Sequence, residues 1–189
     1  MMKRNEAVQL LKEHVTTDRV LRHSYAVEGA MRAYAKHFGE DVEEWGLIGL
    51  LHDIDFEKYP EEHPMKSPAI LKEAGFDDDF ITTILSHGST TGLARDTKAK
   101  QCLHAVDEMA SFIVAIALMR PTHFDGLKGK SVKKKMKDKA FAKAVNREEL
   151  TQSREAMGIE FNEHVDIIVA GLLAEEALIQ ESDYSLLNM

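Results

Sequence analysis

The 189-residue sequence predicts an all-α protein, and three of its features carry the prediction. Apolar residues recur at spacings of three and four through nearly all segments. Alternation of period two flanked by turn residues is scarce, and the four prolines punctuate the periodic segments.

A first helix is expected near Glu6 to Val15, with Val8, Leu10, Leu11 and Val15 turned inward. A second should span about Asp18 to Phe38; its inward stripe of Val20, His23, Val27, Ala30, Met31 and Tyr34 places a histidine on the core side. Gly39 suits the cap that ends it. The next helix carries Trp45, Leu47, Ile48, Leu50 and Leu51 around almost its whole circumference, so it should be buried. It stops at His52-Asp53, and a buried carboxylate needs a cation, a hydrogen-bond network or a proton.

From Ile54 to Pro68 three prolines and few aliphatics predict an irregular loop. Ser67 then reads as an N-cap before a first-turn Pro68, with Gly75 closing a short helix. Asp77 can cap the following helix, which ends at Ser86-His87-Gly88, and a polar loop runs from Ser89 to Thr97. A long helix from about Lys98 to Met119 puts Leu103, Val106, Asp107, Ala110 and Val114 on one face, making Asp107 the second carboxylate to point inward. Lysines crowd the stretch from Lys128 to Lys143, and on a helix beginning near Ser131 Lys133 and Lys137 share a face. Asn146 to Glu149 has the spacing of a capping box and opens a helix that Gly158 ends. The last helix, about Glu160 to Gln180, turns Phe161, Val165, Ile168, Leu172 and Leu173 inward.

The length and 44% apolar content suit one well-packed core, and no repeat, low-complexity tract or linker divides residues 1–189, so a single domain is expected. A net charge of -8 argues against a general nucleic-acid binder, while leaving small anionic substrates open. Cys102 is the single cysteine, which excludes an intramolecular disulfide and a cysteine-cluster metal site and fits a reducing compartment. The opening residues show no signal-peptide core, and no run is expected to reach the length of a membrane span. The expectation is a cytoplasmic protein without membrane partners; the oligomeric state is left open.

Six inward or loop-borne residues are candidates for chemistry: His23, His52, Asp53, His63, His87 and Asp107. Imidazole and carboxylate together suit Fe, Mn, Zn or Co. Their order, His, His-Asp, His, His, Asp, resembles the HD superfamily of metal-dependent phosphohydrolases, and Leu-His52-Asp53-Ile-Asp resembles the H-D-I-G form of its central motif. The resemblance spans about His23 to Asp107. It implies a helical bundle with the metal site in its core, the ligand-bearing part covering about residues 18–120 and C-terminal helices of about 131–181 packing on it. His23, His52, Asp53 and Asp107 match the family's four core ligands, and His63 and His87 match the two extra histidines of members that hold two metals. The run Phe-Ile-Val-Ala-Ile-Ala-Leu-Met-Arg-Pro and the stretch Lys-Ser-Val-Lys-Lys-Lys resemble a branch of predicted hydrolases that lends no substrate. Two departures stand out: the usual Gly and Lys after His-Asp-Ile are Asp55 and Phe56, and His87 is followed by Gly88 rather than a second histidine.

What the resemblance implies is a hydrolase of a small phosphate ester or nucleotide phosphoanhydride, using two divalent transition-metal ions that acidify a shared water. Asp53, with two carboxylate oxygens, is the natural bridge. His23, His52 and Asp107 would complete one site, and His63 with His87 the other; a solvated His63 would leave one ion. Asp53, Glu28 and Asp55 are the catalytic candidates, and Glu28, Asp55, Glu57 and Glu108 are close enough in sequence to orient ligand imidazoles. Positive charge for the substrate could come from Lys58, Arg95, Lys133 and Lys137. His14, His37, His104, His123 and His164 are assigned to surface, cap or supporting positions. Two other functions remain open: a di-iron oxygenase, since the same ligand order serves oxygen activation in relatives of the superfamily, and a non-catalytic metal-containing binding module.

Overall fold

The computed structural model describes residues 2–143, 145–181 and 184–187. Over these residues the chain is all-α, without a strand. The helices are α1 (Arg4–His14), α2 (Asp18–Phe38), α3 (Val42–Leu51), α4 (Ser67–Glu73), α5 (Asp78–Leu85), α6 (Lys98–Leu118), α7 (Gly129–Met136), α8 (Arg147–Gln152) and α9 (Phe161–Gln180). Helix α2 is central, with α3, α6 and α9 all packed against it. Its predicted stripe explains why: Val20, Val27, Ala30, Met31 and Tyr34 are all buried.

The crossing of α3 over α2 depends on Gly49. A Cβ there would come within 2.7 Å of the Val27 carbonyl oxygen and 2.9 Å of the Glu28 nitrogen, so only glycine lets the backbones approach this closely. That approach brings His52, at the end of α3, against His23 of α2. Helix α6 lies antiparallel to α2. Lys98 at its start reaches Glu40 (3.3 Å) and the Phe38 ring beyond the end of α2, whereas Ser111 farther along meets His23. On another side of α2, the Tyr34 hydroxyl and His164 Nδ1 are 2.5 Å apart and pin α9 in place.

Several expectations need correction. Leu173 is 48% exposed, because the buried stripe of α9 runs through Phe161, Val165, Ile168 and Leu172 and the next residue turns about 100° away. Val8 and Leu10 are only half-buried, and Ala7 joins the expected Leu11 in anchoring α1. His164 is a core residue, its pKa lowered to about 4 by burial. Ser67 is not a cap but the first residue of α4, its hydroxyl donating to the Pro64 carbonyl. The helix opened by Asn146 ends at Gln152, and a separate 3-10 turn (Glu155–Met157) precedes Gly158. Helix α6 is, by length and composition, apolar enough to cross a membrane, contrary to the sequence expectation; most of that window, 61%, is buried inside the protein as a core element.

Candidate metal centre

Five segments converge on one point. His23 comes from the second turn of α2, His52 and Asp53 from the end of α3, His63 from the loop before α4, His87 from just past α5 and Asp107 from the middle of α6. His23 Nε2 lies 3.0 Å from His52 Nε2, 3.1 Å from Asp107 Oδ1 and 3.3 Å from Asp53 Oδ2. His63 Nε2 lies 3.1 Å from His87 Nε2 and 3.2 Å from Asp53 Oδ1, which is also 3.5 Å from His87 Nε2. Two groups result, His23/His52/Asp107 and Asp53/His63/His87, each with its donor atoms within 4.8 Å of one another. The Asp53 carboxylate lies between them: Oδ2 faces His23, while Oδ1 lies 3.4 Å from His52 Nε2 and also meets His63 and His87.

The far side of each ring is occupied. His52 Nδ1 donates to the Gly49 carbonyl (2.8 Å), His87 Nδ1 to the Ile84 carbonyl (2.6 Å) and His63 Nδ1 to Asp55 Oδ1 (2.7 Å). His23 Nδ1 meets Ser111 Oγ at 2.7 Å. A ring committed to donating through Nδ1 turns the Nε2 lone pair inward when neutral. Four imidazoles therefore aim Nε2 at two carboxylates and at each other, a donor set that repels itself unless a cation sits among it. The pull of the two carboxylates on positive charge shows in the pKa values. Burial alone would depress the His23 pKa, but hydrogen bonds with Asp107 and Asp53 and their charge raise it to about 10. Both carboxylates resist the upward push of burial: the neighbouring His52 and His23 hold Asp53 well below the usual range, and bonds to His23 and His52 do the same for Asp107. The residues present fit a divalent metal of the N/O-liganded kind.

Asp55 is fully buried and accepts three hydrogen bonds. One oxygen orients His63, and the other accepts from the Lys66 (3.0 Å) and Ser67 (2.9 Å) amides, so it also caps α4. Its contacts thus join His63 to the start of α4. The departure at Gly88 has a packing reason as well: a Cβ there would stand 2.8 Å from Pro64 Cγ, so a second histidine would push away the segment that carries His63.

Other candidates are not brought to the cluster. Glu28, expected to act in catalysis or to orient a ligand imidazole, is a correction: its oxygens accept from Arg4 Nε (2.7 Å), Arg4 Nη2 (2.9 Å) and Arg32 Nε (2.9 Å). Glu57 accepts from the backbone and hydroxyls of Thr16 and Thr17 at the start of α2, which lowers its pKa to about 2. Lys58 Nζ donates to the Glu13 carbonyl at the end of α1 (2.8 Å). Arg95 donates to the Ser86 and His87 carbonyls, holding the turn behind His87 instead of facing substrate. Lys133 stacks over the Phe161 ring at 4.9 Å, and Lys137 lies just past the end of α7.

A cavity of about 510 Å³ opens on the cluster and is lined by none of those cations. The positive charge at its wall comes from Arg19 and Arg22 of α2, with Glu108 and Ser111 on the α6 side. Arg19 and Ser111 escaped the sequence reading, though the signal was there: each lies four residues from a candidate ligand on the same helix, Arg19 before His23 and Ser111 after Asp107.

An all-α protein with a buried histidine and aspartate cluster shaped for divalent metal is what the fold and the site define. Residues 20–111, the stretch holding all six candidate ligands, match the family model of the HD domain. The HD domain implies a metal-dependent, hydrolase type of function. No curated protein and no solved structure matches the chain.

Proposed function

We propose that the chain is a phosphohydrolase of small phosphate esters or nucleotide phosphoanhydrides, with His23, His52 and Asp107 holding one divalent metal, His63 and His87 a second, and Asp53 shared by both. The observation that carries this reading is the position of the Asp53 carboxylate between the two groups. When bound, such ions supply an acidified water and neutralise phosphoryl charge.

The chain's own residues do the rest. Gly49, Ile84, Asp55 and Ser111 fix the ring orientations from behind, so the donor atoms are arranged before any ion arrives. Arg19 and Arg22 offer cationic hydrogen-bond donors to phosphoryl oxygens entering the cavity. They take the place of the lysine that this motif lacks at Phe56. The Phe56 ring packs edge-on against His63, with ring centroids 5.3 Å apart, and shields one side of the site from water.

The test is phosphate release under strict anaerobiosis by protein purified without chelators, with Mn, Co or Fe added in turn. The expected result is turnover without oxygen that rises with one of these metals. Activity that needs oxygen, consumed in proportion to product, would instead place the protein among oxygenases.

A further inference from the structure

The cavity is a groove with two unlike ends. Because α2 and α6 are antiparallel, the α6 stripe Asp107, Ser111, Val114 and Leu118 leaves the ligand cluster and runs along the N-terminal part of α2, where Arg19 and Val20 stand. Eleven residues of helix carry it roughly 16 Å. Beyond the cluster the walls change character. Val20 and Val114 are buried and Ala115 and Leu118 half-buried, all four aliphatic and all facing the groove.

Outside the ligand cluster the polar lining of the groove is confined to Arg19, Arg22, Glu108 and Ser111. Among the described residues no Asn, Gln, Thr or Tyr lines the groove. Ser111 Oγ is engaged with His23 Nδ1 at 2.7 Å, and Glu108 stands beside Asp107 at the cluster end. A polyhydroxylated group laid against Val20, Val114 and Leu118 would bury hydroxyls without partners, which is unfavourable, whereas an alkyl or aryl group would bury apolar area against apolar area. Arg22 adjoins His23 in sequence and Arg19 lies one helical turn from it, with the Arg19 guanidinium 5.9 Å from the Phe56 ring centroid, so positive charge stays at the end where the anion enters.

Resting on the phosphohydrolase reading, we infer that the organic part of the substrate is apolar: the groove selects alkyl or aryl phosphates over sugar phosphates, with Val114 and Leu118 setting the preference and Arg19 holding the phosphate. A volume of about 510 Å³ is within the range that encloses a ligand of this size.

Phosphonates test the ligand class without turnover, because their carbon–phosphorus bond is not hydrolysed. The full chain, purified without chelators, is titrated calorimetrically with methyl-, propyl- and pentylphosphonate and with 2,3-dihydroxypropylphosphonate. Affinity is expected to rise about three- to fourfold per added methylene. The dihydroxypropyl compound should bind at least about tenfold more weakly than propylphosphonate, each buried hydroxyl lacking a partner. Leu118→Gln, at a half-buried position, should flatten the step from propyl to pentyl and leave methylphosphonate unaffected. Arg19→Gln should weaken every phosphonate by a similar factor and keep the slope. A flat series, tighter binding of the hydroxylated compound, or no binding of any phosphonate overturns the inference. If the phosphonates rank as expected but the matching esters release no phosphate, the hydrolase reading falls and the ligand class stands.

Discussion

Helix α2 carries two buried polar clusters, and they solve the same problem differently. His23 points into the first; Glu28, five residues on and about 140° around the helix, points into the second. At Glu28 the charges are answered within the protein: Arg4 bonds both of its oxygens and reaches Glu175 at 2.6 Å, and Arg32 joins Glu28 to Glu43. At His23 the partners of Asp53 and Asp107 are imidazoles whose N–H groups are largely committed elsewhere, to Gly49, Ile84 and Asp55. One cluster is closed. The other is short of positive charge and opens on a cavity, which is the arrangement a metal site requires. A buried carboxylate in this fold is thus not by itself a functional sign; what distinguishes the two is whether the protein supplies the counter-charge.

The largest break in the contrast comes from the open cluster. Asp53→Ala removes the one carboxylate that touches both groups, and elemental analysis should show metal content lowered by roughly 100-fold or more, with phosphate release lost. Full metal content in that variant would reject the shared role of Asp53. The closed cluster should behave in the opposite way. Arg4→Ala leaves Glu28 and Glu175 facing each other and should cost roughly 3 kcal/mol in chemical denaturation, since removing one partner strands a buried charge. Its metal content should match the parent, and a loss of metal there would show the clusters to be one network.

The pH dependence of stability sharpens the comparison further. Burial, followed by the charge of Glu28, raises the Glu175 pKa from 4.5 to about 8. A raised folded pKa means that the unfolded chain ionises first: this contribution is complete below pH 4.5, declines as pH rises, and is gone above about 8. Denaturation midpoints measured across that window should fall less steeply for Glu175→Gln than for the parent. Parallel curves would mean that Glu175 is already ionised in the folded protein. The smallest effect is expected from Lys133→Gln with Lys137→Gln. Neither residue lines the cavity, so KM for a phosphate ester at low ionic strength should stay within about twofold. A clear rise in KM would return the lysine-rich segment to the substrate path.

Much of this was legible in one dimension. Helix period alone put His23 and Asp107 on inward faces and made α3 a buried rod ending at His52-Asp53, because a side chain's direction relative to its own helix is fixed by its position in the sequence. Local chemistry likewise placed Asp77 and Asn146 as caps. What tertiary structure decided was which groups meet across elements. Glu28 and Asp55 looked equivalent as carboxylates near candidate ligands, yet one closes on Arg4 and Arg32 and the other orients His63. Lys58 and Arg95 were expected to face substrate, but each finds the carbonyls at a helix end. The reason is physical. Arg4 and Glu175 bond across 171 positions, and such a contact depends on how α1, α2 and α9 cross, which close approaches at a few small residues determine and no local period encodes.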